Sequence, residues 1–350
     1  MRRNRHTASA SGWRGRRACP RSSRMPSRAI SILQSSCSCR AVVGARWLCV
    51  SKYKRVRYHS VVLISRRAAL NSLLAGGVGT AVGGGTYGLA YSRHQIQVVR
   101  VAIPVSRLPA ALDGFRIGLI TDVHHSETVP ARDVVRASML MMAERPDLIV
   151  LGGDYVTWGD RTFVAPCADA LGGLQAPFGV YAVVGNHDDD REMPAALVSQ
   201  GYEVLRDART TVTARGERID LVGVRYWTQR SRDIARLTRG AQGTVILLAH
   251  DPRRLREAAA LDVPLVLSGH THGGQVVLPG IGAIAARKFP VVAGIGRSEN
   301  TSIYVSRGVG TVYVPYRFNC PPDVSVITLK SLATLKRARP LLDFTGLMKR

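Results

Sequence analysis

No aspartate or glutamate occurs before Asp113, yet the first hundred residues hold 19 of the 49 Lys and Arg side chains. The net charge of +25 is therefore concentrated at one end. Residues 101–350 set 30 basic side chains against all 24 acidic ones, a net of only +6. A nucleic-acid-binding domain gathers its basic residues on the folded body, so this distribution argues against that class. It assigns the basic excess to targeting or to a membrane surface. Cysteine is scarce where the chain can fold: Cys19, Cys37, Cys39 and Cys49 lie in the leader, leaving Cys167 and Cys320. Two distant thiols build neither a disulfide framework nor a thiolate metal site, and both are expected to be unpaired. No internal repeat is present.

A strongly apolar run is missing as well. Residues 68–92 are uncharged and long enough to span a bilayer, which takes about 20 apolar residues. Gly76, Gly77, Gly79, Gly83, Gly84 and Gly85 dilute them. Behind Arg66-Arg67, the segment 61–92 is expected to be a twin-arginine-type export signal or an N-terminal membrane anchor. Basic residues ahead of it would keep the leader in the cytoplasm and place the rest outside. Residues 1–60 are rich in Arg and Ser, lack an apolar period, and are expected to be a disordered leader. Residues 331–350 form a basic tail. The stretch between, 113–330, is long enough to bury its own core as one domain.

What the chain does contain is a set of histidines in one kind of setting. His6, His59 and His94 belong to the leader, but His124, His125, His187, His250, His270 and His272 each sit in or beside a Gly- or Asp-containing strand end. An apolar stretch at 116–121 ends at Asp122, and a helical pattern at 132–144 stops at Pro146. Residues 148–151 end in Gly152-Gly153-Asp154, and 180–184 in Gly185-Asn186-His187-Asp188. Residues 245–249 end at His250, and 264–267 in Ser268-Gly269-His270-Thr271-His272. Further β-like stretches follow at 302–306 and 324–329. Strands alternating with helices predict an α/β fold, whose ligands bind beyond the carboxyl ends of the strands. That puts Asp122, His124, Asp154, Asn186, His187, His250, His270 and His272 on one rim. Alternation would turn Asp122 and His124 to the same side if strand geometry persisted through them. Carboxylate, imidazole and one amide, with no thiolate, suit a pair of divalent ions such as Mn, Fe or Zn.

The ordered set Asp122-x-His124, Gly153-Asp154, Gly185-Asn186-His187-Asp188, His250 and Gly269-His270-Thr271-His272 resembles the calcineurin-like metallophosphoesterase signature. Gly273-Gly274-Gln275, Arg307-Gly308-Val309-Gly310 and Cys320-Pro321-Pro322-Asp323 are similar to its membrane-associated bacterial branch, that of YaeI- and YkuE-like proteins. The resemblance implies a two-sheet sandwich flanked by helices, with the metal site at the strand ends. It implies that Asp122, His124 and His272 hold one metal, that Asn186, His250 and His270 hold the second, and that Asp154 bridges them. His187 would stabilise the transferring phosphoryl group or protonate the leaving oxygen, with Asp188 orienting it. His125 matches no family role and is expected to be a loop residue, while Asp189 and Asp190 are expected to be solvated. The Asp-Arg-Gly of Ser/Thr protein phosphatases is absent in register after Asp154, so no phosphate clamp carries over to Arg161, which argues against protein phosphatase activity.

The implied activity is hydrolysis of a phosphodiester or pyrophosphate on a phosphorylated or lipid-linked small molecule at a bacterial cytoplasmic membrane. Relatives of this branch suggest UDP-2,3-diacylglucosamine of lipid A synthesis. That substrate lies on the cytoplasmic face, whereas an exported domain would meet cell-envelope phosphates instead. A non-catalytic metal-binding scaffold is the alternative from another class, disfavoured because every ligand position is filled. No nucleic acid or protein partner is implied. Residues 276–296, apolar and Gly-punctuated, leave two alternatives. They form either a β-hairpin returning into the core or a lipid-facing flap whose Arg287 and Lys288 bind a head-group phosphate.

Overall fold

The computed structural model describes residues 66–228 and 231–332. The expected leader, 1–60, and the basic tail from 333 onward lie outside the described residues. Helix α1 (Arg66–Thr86) comes first. Strands β1 (Gln97–Val105), β2 (Arg116–Ile120), β3 (Leu148–Leu151), β4 (Val180–Ala182) and β5 (Glu203–Val204) follow, with helices α2 (Ala131–Ala143), α3 (Val164–Leu171) and α4 (Glu192–Ser199) between them. Then come β6 (Ala208–Ala214), β7 (Glu217–Val224), α5 (Ser231–Thr238), β8 (Thr244–Ala249), α6 (Leu255–Ala260) and β9 (Leu265–Ser268). Strands β10 (Gly294–Ser298), β11 (Thr301–Val305) and β12 (Asp323–Ser331) complete the domain.

Two mixed sheets of six strands result, in the orders β1-β12-β2-β3-β4-β5 and β10-β11-β9-β8-β7-β6. Strands β2 to β5 are parallel, as are β7, β8, β9 and β11. Most of these parallel neighbours are joined by a crossover helix, which hides both sheet faces and explains why the strands read as continuous apolar runs. In β3 the two-residue period divides the side chains. Leu148 and Val150 pack between the sheets with Leu221, Ile246, Leu248 and Leu267. Ile149 and Leu151 face the helices with Val134, Met141 and Leu171. The outer face of the second sheet is covered by Ile234 of α5 and Leu255 of α6. The expected helix-flanked two-sheet sandwich is thus the observed one. Truncating such a buried Leu or Ile to Ala costs about 2–5 kcal/mol.

Two features differ from expectation, and a third bears on the expected signal or anchor at 61–92. Strand β1 extends the first sheet upstream of 113, pairing with β12 from Gln97 opposite Asp323 to Val105 opposite Ser331. As an edge strand it is mostly part-exposed, so it carries little apolar periodicity. Residues 276–296 do not form a hairpin returning into the core. They contain two isolated bridges, Leu278 to Gly282 and Val276 to Phe318, one short 3₁₀ turn and the start of β10, and only Ala286 among them is buried. Finally, no helix among the described residues is long and apolar enough to cross a membrane. Helix α1 is diluted by its glycines, although Leu70, Leu73, Leu74, Val78 and Val82 on it are exposed. The chain just after α1 meets the loop before β12. The ring of Tyr316 occupies the space a Cβ on Gly88 would take, and its hydroxyl donates to Gly84 O at 3.3 Å.

Candidate metal centre

The strand ends that carry polar side chains converge. Asp122, His124 and His272 each place a donor atom within 4.8 Å of the others, and so do Asp154, His250 and His270. These are two candidate metal sites. They share a carboxylate: Asp154 Oδ2 lies 3.0 Å from His250 Nε2 in its own group and 3.5 Å from His124 Nε2 in the other. Asn186 joins Asp154, His187, His270 and His272 in lining a cleft of about 180 Å³.

Strand alternation is not what aligns Asp122 with His124. Strand β2 stops at Ile120, and both residues take left-handed backbone conformations, φ 51° and 48°. Asp154, His270 and His272 do the same, at φ 57°, 73° and 51°. Non-glycine residues seldom adopt this region, and its concentration here means that the surrounding packing holds the backbone against a local cost. Two glycines let neighbouring chain approach. A Cβ on Gly185 would fall 2.1 Å from Asp154 Oδ1, and one on Gly308 (φ 69°) would fall 2.4 Å from Asp122 Cβ.

The electrostatics fit divalent cations. Nε2 of His124 and Nε2 of His272 face each other at 3.1 Å inside the protein. Asn186 Oδ1, His250 Nε2 and His272 Nδ1 are buried with no hydrogen-bond partner among the described residues. His250 Nε2 is close to Asp154 yet off the line of a hydrogen bond, while its Nδ1 is held by Gly152 O at 2.8 Å. Bound cations would satisfy these atoms. Burial disfavours the charged form of His250, but the Asp154 and Asp122 carboxylates overcome it and raise the imidazolium to about 10. Burial likewise opposes ionisation of Asp154, yet His250 and His124 hold it well below the usual carboxylate range. Asp122 is pushed up, first by burial and also by Asp154. Burial and the neighbouring His250 lower His270 to about 4, leaving the neutral ring that a metal requires.

His187 and Asp188 part company. The Nδ1 of His187 accepts the backbone N–H of Trp158 at 3.1 Å, and its ring packs against those of Trp158 (4.5 Å) and His124 (4.9 Å). Asp188 does not orient that ring. Its carboxylate accepts the backbone N–H groups of Asp154 (2.8 Å), Tyr155 (2.7 Å) and Gly185 (2.8 Å), tying together the two loops that carry Asp154 and Asn186. His125 is a buried structural residue, bonded to Val129 O at 2.8 Å. Asp189 and Asp190, expected to be solvated, are ion-paired, the former with Arg161 and the latter with Arg206 and Arg225. Arg161 also pairs with Glu192, consistent with its having no phosphate to clamp. Of the expected cationic pair, Lys288 lines the metal cleft, whereas Arg287 donates to Ile281 O at 3.1 Å.

Arg317 was not singled out from the sequence. It is fully buried and donates to the carbonyls of His272, Arg307, Gly308, Gly310 and Cys320. Beside it Arg307 pairs with buried Asp323 at 2.7 Å, and the Cys320 thiol donates to His272 O at 3.3 Å. The two late motifs, 307–310 and 320–323, therefore meet beneath Asp122 and His272. Cys167 and Cys320 are both free.

Residues 115–274 match the family described as calcineurin-like phosphoesterase. The chain is 33% identical over 286 residues to the uncharacterized metallophosphoesterase YkuE of Bacillus subtilis, an alignment covering 77% of this chain and 98% of that one. It is 32% identical over 230 residues to phosphodiesterase YaeI of Escherichia coli, covering 61% and 82%. It is also 33% identical over 264 residues to a Danio rerio protein named transmembrane protein with metallophosphoesterase domain, covering 70% of this chain and 60% of that one. With two adjoining metal sites at the strand ends and relatives of this kind, the chain belongs to the calcineurin-like metallophosphoesterases and is a metal-dependent phosphoester hydrolase.

Proposed function

We propose that this enzyme hydrolyses a phosphodiester or pyrophosphate carried by a membrane-linked substrate. Asp122, His124 and His272 would hold one ion, Asn186, His250 and His270 the second, and Asp154 both. The observation that carries this assignment is the Asp154 carboxylate, which lies against a histidine of each group. Two divalent ions about 3.5–4 Å apart supply an activated water and neutralise phosphoryl oxygens. The protein's own part is to fix the ligands and to orient His187. Because His187 Nδ1 accepts the Trp158 amide, its Nε2 carries the proton and can donate to a phosphoryl or leaving oxygen. Lys288 at the edge of the cleft would bind a further phosphate, and Arg287, turned to Ile281, contributes less.

Membrane linkage is supported by three observations. Exposed apolar residues cover α1, and the chain after it packs on the loop whose Tyr313 lines the metal cleft. Ile281 and Ile284 are exposed beside that cleft. One relative is named a transmembrane protein. Anchoring or twin-arginine export through residues 61–92 and a catalytic domain outside the cytoplasmic membrane fit that arrangement. A cell-envelope phosphate would then be the substrate, and the lipid A precursor only if the domain faces the cytoplasm. The test is a screen of full-length protein reconstituted with Mn²⁺, Fe²⁺ or Zn²⁺ against phosphomonoesters, soluble phosphodiesters and lipid-linked pyrophosphates. Turnover of the diester and pyrophosphate classes is expected. Activity confined to phosphomonoesters would overturn the assignment.

A further inference from the structure

A second cavity of about 850 Å³ adjoins the metal cleft on the His270 side. Its walls come from the start of α6 and from β10 with the segment leading into it. Phe289 and Lys288 line both cavities, and the Phe289 ring meets His270 edge-on at 5.2 Å. On the cavity side that ring lies beneath two cations, Lys288 Nζ at 5.3 Å and the Arg253 guanidinium at 5.7 Å from its centroid. Arg256 and Arg297 add two more charges, and both are exposed. Among the described residues neither has a carboxylate partner; Arg297 donates only to Glu299 O. Arg253 is neutralised by Asp251, and the cavity's one acid, Glu257, is engaged by Arg254 at 2.8 Å. The remaining field is cationic, set beside the apolar surface of Phe289 and Ile295.

We infer that this cavity is a second anion subsite, taking the half of the substrate on the His270 side, and that this half carries a phosphate or comparable anion besides the one at the metals. The substrate class is then a polyanionic ester, such as a diphosphate-linked one, with an apolar or planar portion against Phe289 and Ile295. This rests on the two-metal assignment for the position of the reacting phosphorus. Unpaired cations on a concave, partly apolar wall attract a second negative charge more strongly than they would on a flat surface, because low-dielectric walls focus the field. The volume lies within the range of cofactor- and nucleotide-sized sites.

The test compares two non-hydrolysable probes on the Mn²⁺-loaded, full-length protein by titration calorimetry. One is α,β-methylene ADP, with several anionic centres; the other is methyl(phenyl)phosphinate, with one and no ester bond to cleave. Reversing both charges, Arg256→Glu with Arg297→Glu, should raise the ratio of their dissociation constants at least tenfold against the polyanion. The neutral variants Arg256→Gln and Arg297→Gln should each raise it less and in the same direction. A ratio within twofold of the wild type in all three would overturn the subsite. A dodecyl ester of methylenediphosphonate shows the source of the anion. A tenfold gain from the tail assigns a lipid-borne ligand and no gain a soluble one; in either case the charge-reversed protein must lose affinity. Hydrolysis of bis(p-nitrophenyl) phosphate is followed separately. Failure of the wild type there and on a soluble pyrophosphate diester would refute the proposed reaction, whereas the binding ratio alone decides the subsite.

Discussion

The backbone N–H of Trp158 donates to Nδ1 of His187, and so decides which nitrogen of that ring carries the proton. With Nδ1 accepting, the neutral imidazole is protonated at Nε2. Burial, reinforced by His124 and His250, lowers its imidazolium to about 4 against the pull of Asp154, so the ring is neutral at pH 7. It is thus a hydrogen-bond donor to developing negative charge rather than a stored proton. His187→Ala should keep both metals and lose about 10²–10³ in kcat, the usual cost of one such donor. The loss should be equal for good and poor leaving groups. A loss that shrinks with good leaving groups would make His187 the general acid, and loss of metal would make it a ligand.

Asp154→Asn should remove metal as well as turnover, since one carboxylate serves histidines of both groups. Metal content by atomic emission, alongside diester hydrolysis, checks this. Wild-type content and rate in the variant would refute a bridging role.

Arg317→Met takes a donor from five carbonyls; His272 O keeps the Gln275 amide and Gly308 O the Asp323 amide, which leaves those of Arg307, Gly310 and Cys320 unmet. Unmet buried hydrogen bonds cost about 1–3 kcal/mol each when nothing relaxes, so a loss of about 3 kcal/mol or more is expected. Arg317→Lys should recover only part of it, because three ammonium donors cannot reproduce the planar fork. Metal affinity should fall too, as His272 and the Gly308 segment against Asp122 hang from these bonds. Melting temperature and metal titration report the two effects. An unchanged affinity in a folded variant would confine Arg317 to stability.

Asp207 gives a pH dependence. Burial opposes its ionisation, but bonds from Thr228 Oγ1 (2.6 Å), the Arg225 backbone and the Arg225 guanidinium (2.7 Å) hold it below the ordinary value. These contacts fix the turn carrying Tyr226, whose ring lies 5.5 Å from that of His270. A depressed carboxyl stabilises the fold above its unfolded pKa, about 3.9, and that stabilisation disappears as pH falls through the folded value. Asp207→Asn should therefore cost about 1–2 kcal/mol at pH 7. The gap to wild type should close below about pH 4. Denaturant melts across pH 3–7 measure it, and a gap that is constant with pH would rule out the charge as its cause.

The ligand set was legible because metal chemistry restricts residue types and because each ligand ends an apolar strand. Asp122, His124, Asp154, His250, His270 and His272, the residues of the two candidate metal groups, stand out for that reason, and the strand at 148–151 coincides with β3. Asp188 was legible as part of the same run but not in its use. A carboxylate beside a histidine suggests a side-chain pair, and only the folded chain shows it bound to the amides of Asp154, Tyr155 and Gly185. The two-residue spacing of Asp122 and His124 likewise gave the right convergence through the wrong geometry, because left-handed backbone rather than a pleat turns them inward.

By itself the order of residues determined the α/β alternation and the carboxylate and imidazole types of the metal-binding residues, since local periodicity and donor chemistry are written in side chains. Tertiary structure alone decided the role of Arg317, the tautomer of His187 and the cationic cavity beyond Phe289. The reason is physical. Arg317 and His187 are held by backbone carbonyls and an amide, groups that every residue type carries and no composition can mark. The cavity joins the start of α6 to β10 and the segment before it, and its field exists only once Arg256, Lys288 and Arg297 line it together.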